Sequence, residues 1–252
     1  MASKIVLVTG ASRGLGKDSV LQLAKKGFDI IFTYQTKKEF ADDVVTEIES
    51  IGQKAFALSL DISTTADFDQ FTVEVKNILD TQFSSAKLDA LVNNAGIGIN
   101  QSFETMTEEI VDLMTNIHFK GPYFLTQKLL PLLNDGSSIV NISSGLARFS
   151  SPGYSAYGAM KAAIDALSRY QALELGSRKI RVNALAPGAI ETDFDGGVVR
   201  DMSDVNKYLA SEAALGRVGL PDDIGSVVAF LCSDDSKWIN AQRIEVSGGY
   251  RI

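Results

Sequence analysis

Seven short runs rich in Val, Ile and Leu recur along the chain, at residues 5–8, 30–33, 55–60, 88–92, 138–142, 180–185 and 243–246. They do not alternate cleanly between apolar and polar positions, which is the pattern of strands covered on both faces. Longer segments with helical spacing lie between them. Residues 17–26 carry Val20, Leu21, Leu23 and Ala24, and 39–51 carry Phe40, Val44, Ile48 and Ile51. Thr105-Met106-Thr107-Glu108 has the form of a capping box and predicts a helix through Leu113, Ile117 and Phe124. Residues 156–175 turn Ile164, Leu167 and Leu175 to one side, and Pro221-Asp222-Asp223 supplies a proline and acids to the first turn of a last helix. Strict alternation of this kind predicts an α/β fold: a Rossmann-like, doubly wound sheet of seven mostly parallel strands, helices on both faces and right-handed crossovers. No linker-like or low-complexity stretch interrupts residues 1–252, so a single domain is expected. The least regular stretch, 191–216, follows a strand and contains Gly196-Gly197, which marks it as a candidate substrate lid.

Charge and composition narrow the function. The net charge is −7 with no long basic stretch, which argues against nucleic acid as a partner. One cysteine, Cys232, and one histidine, His118, supply neither a disulfide framework nor a Cys/His zinc site, so no metal is expected. The apolar run at 5–8 is too short for a signal peptide, and no segment has the length to span a bilayer. A cytoplasmic, reducing setting without membrane contact is therefore expected.

The turn after the first strand reads Thr9-Gly10-Ala11-Ser12-Arg13-Gly14-Leu15-Gly16 and opens the first helix. Glycines allow a tight turn and let backbone N–H groups approach a diphosphate, and the helix N-terminus adds partial positive charge. The spacing is Gly-x-x-x-Gly-x-Gly rather than the common Gly-x-Gly-x-x-Gly, but its strand–turn–helix setting favours a dinucleotide site. The second strand ends Tyr34-Gln35-Thr36-Lys37-Lys38, with no acid to hold a ribose 2′-hydroxyl. Arg13, inside the glycine turn, suits a 2′-phosphate. NADP(H) is thus expected in preference to NAD(H).

Tyr157 and Lys161 are four residues apart on one helix face, one turn from each other. An ammonium beside a phenol favours the phenolate and is expected to lower its pKa towards neutrality. A tyrosine tuned this way can protonate a ketone or deprotonate an alcohol. Alone, the pair is compatible with an ordinary helix; the other motifs give it meaning.

Together these residues resemble the short-chain dehydrogenase/reductase family, in its compact single-domain branch and close to its 3-oxoacyl-thioester reductases. The resemblance covers nearly the whole chain. It implies that Gly10, Ser12, Arg13, Gly14, Leu15 and Gly16 form the cofactor turn, with Tyr34 and Thr36 at the adenosine ribose. It implies that Asp61 and Ile62 contact the adenine, and that Asn93, Ala95 and Gly96 line the cofactor. Asn116, Ser144, Tyr157 and Lys161 match the catalytic tetrad: Tyr157 as proton donor, Lys161 as its partner and ribose ligand, Ser144 on the substrate oxygen, Asn116 fixing a relay water. Pro187, Gly188, Ile190 and Thr192 match the loop beside the nicotinamide. Ala241 replaces a usual glycine and Ser247 a usual aspartate. The family implies a homotetramer or homodimer. His118, two residues beyond Asn116, is expected to face elsewhere and to be structural.

Other classes fit less well. A hydrolase lacks its base, since Asn141-Ile142-Ser143-Ser144-Gly145 is not a nucleophile elbow and His118 is the lone histidine. A sugar-nucleotide epimerase resembles a longer chain, and an enoyl reductase spaces its tyrosine and lysine more widely. The expected activity is NADPH-dependent reduction of a ketone or aldehyde, possible substrates including a 3-oxoacyl thioester. The alternatives are an NAD(H)-dependent alcohol dehydrogenase and a non-catalytic cofactor-sensing protein on the same fold.

Overall fold

The computed structural model describes residues 3–83 and 87–252. The elements alternate along the chain as β1 (Lys4–Val8), α1 (Gly14–Lys25), β2 (Phe28–Tyr34), α2 (Lys38–Ile51), β3 (Ala55–Ser59), α3 (Phe68–Gln82), β4 (Leu88–Asn93), α4 (Glu108–Thr115), α5 (Gly121–Leu129), β5 (Leu133–Ile142), α6 (Ser155–Glu174) and β6 (Arg181–Pro187). Then come α7 (Val198–Asp201), α8 (Ser203–Ser211), α9 (Pro221–Cys232) and β7 (Arg243–Val246). The seven strands form one sheet in the order β3-β2-β1-β4-β5-β6-β7, and every neighbouring pair is parallel. The order reverses between β1 and β4, so the carboxyl ends of these two strands open a crevice where α/β sheets bind ligands.

The apolar strands divide the core into two layers. Val6, Val8, Ile30 and Phe32 face α1, α2 and α9 on one side. Ile5, Leu7, Ile31 and Leu91 face α3, α5 and α6 on the other. Strand residues point alternately to the two faces, so both sets must be apolar, and the runs read as continuous rather than alternating. Helix α3 belongs to none of the helical segments predicted above, although Phe68, Phe71, Val75 and Leu79 give it a buried stripe.

Two helix expectations need correction. Thr107, not Thr105, caps α4: its hydroxyl accepts from the Ile110 amide at 3.4 Å, and Thr105 lies in a separate one-turn helix. The following helix is also not continuous. Residues Asn116–Lys120 form a π turn between α4 and α5, with the Gly121 amide bonded to the Asn116 carbonyl. A π turn inserts one residue into the helical phase, so everything after it is rotated relative to a regular helix.

A buried polar ladder ties α5 and α6 to the sheet. The Asn93 side chain donates to the Thr126 hydroxyl at 3.0 Å and to Asn141 Oδ1 at 2.8 Å; Asn141 Nδ2 donates to the Ser168 hydroxyl at 2.9 Å and to Gln171 Oε1 at 3.0 Å. Four elements are thereby fixed in register beneath the crevice, because buried amides left unpaired would each cost about 1–3 kcal/mol.

Candidate active site

The glycine turn is packed too closely for any other residue. A Cβ on Gly16 would stand 2.3 Å from the Gly10 carbonyl oxygen and 2.7 Å from Ala11 Cα, both backbone atoms. Gly10 has a left-handed φ of 66°, and its Cβ would meet Ala95 Cα at 2.8 Å. Thr9 and Asn94 hold the turn. The Thr9 hydroxyl accepts from the Asn94 and Ala95 amides, each at 3.0 Å, and the Asn94 side chain donates to the Thr9 and Gly10 carbonyls, each at 2.9 Å. Asn94, rather than the expected Asn93, is the side chain at the crevice; Asn93 stays in the buried ladder.

From this turn a cavity of about 570 Å³ runs along the carboxyl ends of the strands to Tyr157. Its walls include Gly10, Ser12, Arg13, Gly14, Leu15 and Gly16, then Tyr34 and Thr36, then Asp61 and Ile62, then Ala95 and Gly96. Pro187, Gly188, Ile190 and Thr192 close the opposite side, and Ser144, Tyr157 and Lys161 form the inner end. Such a shape fits an extended dinucleotide, with its diphosphate at the N-terminus of α1. At the ribose end β2 and the turn after it offer Tyr34, Gln35, Thr36 and Lys37, none of them acidic. Arg13 is well exposed there, with Asp193 at 3.8 Å. Burial would raise the Asp61 carboxyl, but the hydroxyl and amide of Ser63 hold it below the usual range and fix its orientation.

Tyr157 and Lys161 project from α6 into the inner end, 7% and 5% exposed. The lysine ammonium donates to the Ile142 carbonyl at 2.7 Å and stands 5.5 Å from the centre of the Tyr157 ring. The expected lowering of the phenol pKa by this ammonium is not what the chain's own groups produce. Burial pushes Tyr157 up to about 12, against a smaller lowering by the Ser144 hydroxyl. Burial pulls Lys161 down to about 8, partly opposed by Asp165 one turn on. The reason is geometric: the Lys161 ammonium bonds a main-chain oxygen beside the ring, and both groups are buried. Ser144 is set by its own amide-capping role, its hydroxyl accepting from Leu146 N at 3.2 Å. Its carbonyl is held by Arg243, which also bonds Asp165.

Asn116 is not brought to this wall; it begins the π turn. His118 does line the cavity, which corrects the expectation that it faces elsewhere. Its ring is 1% exposed, meets Tyr157 edge-on at 5.0 Å and 88°, and bonds the Ile97 carbonyl through Nε2 at 2.8 Å. Regular helical phase could not reveal this; the π turn rotates residue 118 inward.

The 191–216 stretch covers the outer half of the cavity. It consists of a short turn at Phe194–Gly197 and helices α7 and α8. Phe194 lies 5.6 Å from the Tyr157 ring, and the Tyr154 hydroxyl donates to Asp195. Asp195 itself is left-handed, with φ 51°. Gly98 leaves room for the Phe194 ring, which a Cβ would meet at 2.6 Å. Phe149, Tyr154, Phe194 and Tyr250 give this half aromatic walls. At the C-terminal end Ala241 has φ 60°, a conformation that favours glycine, and Ser247 packs on Gly188, where a Cβ would be 2.9 Å from Ser247 Cα.

Among the described residues no helix is long and apolar enough to cross a membrane, and no group of His, Cys, Asp or Glu could hold a metal ion. Cys232 is buried and free.

Comparison with known proteins agrees with this geometry. The model of a family described as enoyl-(acyl carrier protein) reductase matches residues 10–251. The chain is 36% identical over 260 residues to the hydroxynaphthalene reductase-like protein Arp2 of Metarhizium brunneum, covering 99% of this chain and 95% of that protein. It is 38% identical to the 3-oxoacyl-[acyl-carrier-protein] reductase FabG of Staphylococcus aureus, over 98% of each. The crystal structure of the landomycin C-6 ketoreductase LanV with bound NADP and rabelomycin superposes with a TM-score of 0.90 at 34% identity, covering 99% of this chain and 97% of that one. The chain belongs to the short-chain dehydrogenase/reductase family and is an NAD(P)-dependent oxidoreductase.

Proposed function

We propose that the protein reduces a ketone or aldehyde to an alcohol with NADPH, Tyr157 giving the proton. The observation that carries this is the buried Tyr157 phenol, close to Ser144 and Lys161, at the inner end of a cavity that begins at the glycine turn. When bound, the nicotinamide supplies the hydride. Gly10, Ser12, Gly14, Leu15 and Gly16 would hold the diphosphate. Arg13, Tyr34 and Thr36 would hold the phosphorylated ribose, which is what favours NADP(H) over NAD(H). Asp61 and Ile62 would meet the adenine; Ala95, Gly96, Pro187, Gly188, Ile190 and Thr192 would flank the nicotinamide half. Ser144 donates to the substrate oxygen as charge builds on it, and holding both reactants in one dry pocket makes the transfer effectively unimolecular. A phenol pushed up to about 12 keeps its proton at neutral pH, which suits reduction better than alcohol oxidation.

The aromatic walls of Phe149, Tyr154, Phe194 and Tyr250 support a flat, largely apolar ketone. A 3-oxoacyl thioester is the second reading, favoured by the likeness to the staphylococcal reductase. The 191–216 stretch would act as the lid. Exposed Phe103, Val111, Tyr123 and Phe124 before and on α5, with Tyr170 and Leu173 on α6, support a homotetramer or homodimer through these helices. The test is NADPH consumption with an aryl ketone, an acetoacetyl thioester and a sugar side by side, using wild type and Tyr157→Phe. The variant should bind NADPH and turn nothing over; undiminished turnover would remove Tyr157 as proton donor.

A further inference from the structure

Strand β7 reads Arg243-Ile244-Glu245-Val246. Ile244 and Val246 pack on the core layer of α1 and α9. Strand alternation therefore turns Arg243 and Glu245 to the opposite face, towards α6 and the turn after β5. The Arg243 side chain is only 22% exposed, and its guanidinium is divided among three acceptors. Nε donates to Asp165 Oδ2 at 2.8 Å, Nη2 to the Ser144 carbonyl at 3.0 Å and Nη1 to Glu245 Oε2 at 3.2 Å. Asp165 lies one turn beyond Lys161 on α6, and its side chain is 11% exposed. Among the described residues Arg243 is the cation paired with it, and its other oxygen, Oδ1, has no partner. The Ser144 carbonyl also accepts from the Ala147 amide at 3.1 Å. That second bond stays inside the short turn that Ser144 caps, whereas the bond from Arg243 joins the turn to another element.

We propose that Arg243 is a positioning residue of the reaction: one guanidinium spans the main chain of Ser144 and the carboxylate of Asp165, and so fixes the hydroxyl that meets the substrate oxygen against the helix that carries Tyr157 and Lys161. It rests on Ser144 and Tyr157 acting together on a carbonyl, as in the proposed function. The planar fork of an arginine can hold two acceptors at a set angle, which a single ammonium cannot do. The hydroxyl of Ser144 is fixed in front by the Leu146 amide at 3.2 Å, and Arg243 fixes the same residue from behind. A donor aimed at a developing oxyanion loses its effect when it is misplaced by a fraction of an ångström. Arg243 has a second, electrostatic consequence. Asp165 supports the Lys161 ammonium against burial, and the positive charge of Arg243 on Asp165 weakens that support. The other groups that face Lys161 are Tyr157 on α6, the Ile142 carbonyl of β5 and His118 of the π turn, whose pKa is held well below 6.5 by burial and by Lys161 itself.

Fork and charge can be tested separately. Arg243→Gln removes both, Arg243→Lys keeps the charge without the fork, and Asp165→Asn removes the carboxylate that links Arg243 to Lys161. Each is compared with wild type for kcat with an aryl ketone, for the NADPH dissociation constant at pH 7 by cofactor fluorescence, and for the basic limb of kcat/KM for NADPH. Arg243→Gln should lose roughly tenfold in kcat, keep NADPH dissociation within about twofold, and move the limb to higher pH, because Asp165 then acts on Lys161 unopposed. Arg243→Lys should leave the limb in place and still lose roughly fivefold in kcat. Asp165→Asn should move the limb to lower pH. Wild-type kcat in Arg243→Gln, or full recovery of kcat in Arg243→Lys, would overturn the positioning role. A limb that moves in neither Arg243→Gln nor Asp165→Asn would overturn the link through Asp165. Removing one partner of a largely buried ion pair is costly; if Arg243→Gln does not fold, the Lys and Asn variants still decide. Undiminished turnover by Tyr157→Phe with Arg243 intact would instead fail the proposed function, so the two failures are distinct.

Discussion

Raising the pH should switch off reduction well before the lysine range, because burial has moved Lys161 from 10.5 to about 8. Burial disfavours the ammonium form, and the Ile142 carbonyl and Asp165 one turn on offset this only in part. At pH 7 about nine-tenths of the enzyme would carry the charge, and at pH 9 only about one-tenth. The specificity constant kcat/KM for NADPH reports ionisations of the free enzyme, so it should fall roughly tenfold per pH unit above about 8. Initial rates of NADPH oxidation at saturating ketone, between about pH 6 and 10, measure it. Lys161→Met should be slow at every pH and show no such limb. Unfolding would not imitate the effect. The folded pKa of Lys161 lies below its unfolded value, so the unfolded state holds more protons between about 8 and 10.5, and this contribution to stability rises with pH there. Over pH 8–9 activity should therefore fall while this term strengthens the fold; from about 9 the Cys232 thiol, pushed up to about 12 by burial, works the other way. A limb near 10.5 would refute the desolvation argument, since it would mean that Lys161 is hydrated in the working enzyme.

Three further outcomes follow from the geometry. Arg13→Ala should raise KM for NADPH by roughly 5- to 30-fold, about 1–2 kcal/mol after allowing for its exposure, and leave NADH within about twofold; equal weakening of both would remove the phosphate assignment. Gly16→Ala forces a Cβ to 2.3 Å from a backbone oxygen that no rotamer can relieve, so it should cost about 1–3 kcal/mol and abolish NADPH binding, seen as a lower thermal midpoint and no fluorescence change; a stable, cofactor-competent variant contradicts the cradle. Tyr154→Phe frees Asp195 in the stretch proposed as the lid: KM for the ketone should rise roughly fivefold, about 1 kcal/mol, at unchanged KM for NADPH, and an unaltered ketone KM would count against that lid.

The sheet was legible because its information is local and redundant. The central strands β1, β2 and β4 are buried along nearly their whole length and are therefore mostly apolar, and β1 is followed by a glycine turn whose residues have few alternatives. Gly10 and Gly16 could be read for the same reason: a turn that brings one backbone within contact of another excludes side chains outright. The polar residues were less legible. Adjacent Asn93 and Asn94 are chemically identical in sequence, yet strand alternation sends one into the ladder with Asn141 and the other to the glycine turn. Phase, not residue type, separates their roles, and phase is known only once the register of β4 is.

Helical phase also hid the orientation of His118. Reading one helix from the Thr105–Glu108 box through Phe124 at regular spacing assumes that hydrogen bonds run from each residue to the fourth before it. At Asn116 the chain breaks that rule, and the Gly121 amide returns to the fifth. The inserted residue displaces later side chains by about 100° around the axis relative to a regular helix, and His118 lies against Tyr157. Nothing in the propensities of Asn-Ile-His-Phe-Lys announces the insertion. It is stabilised by tertiary contacts: Gly121 packs where a Cβ would be 2.6 Å from the Ile62 carbonyl, and the imidazole bonds Ile97 above a residue that must be glycine. Where a helix gives up regular hydrogen bonding, side-chain direction is set by the tertiary contacts that hold the irregular turn, and here those contacts seat a buried imidazole edge-on to the Tyr157 phenol.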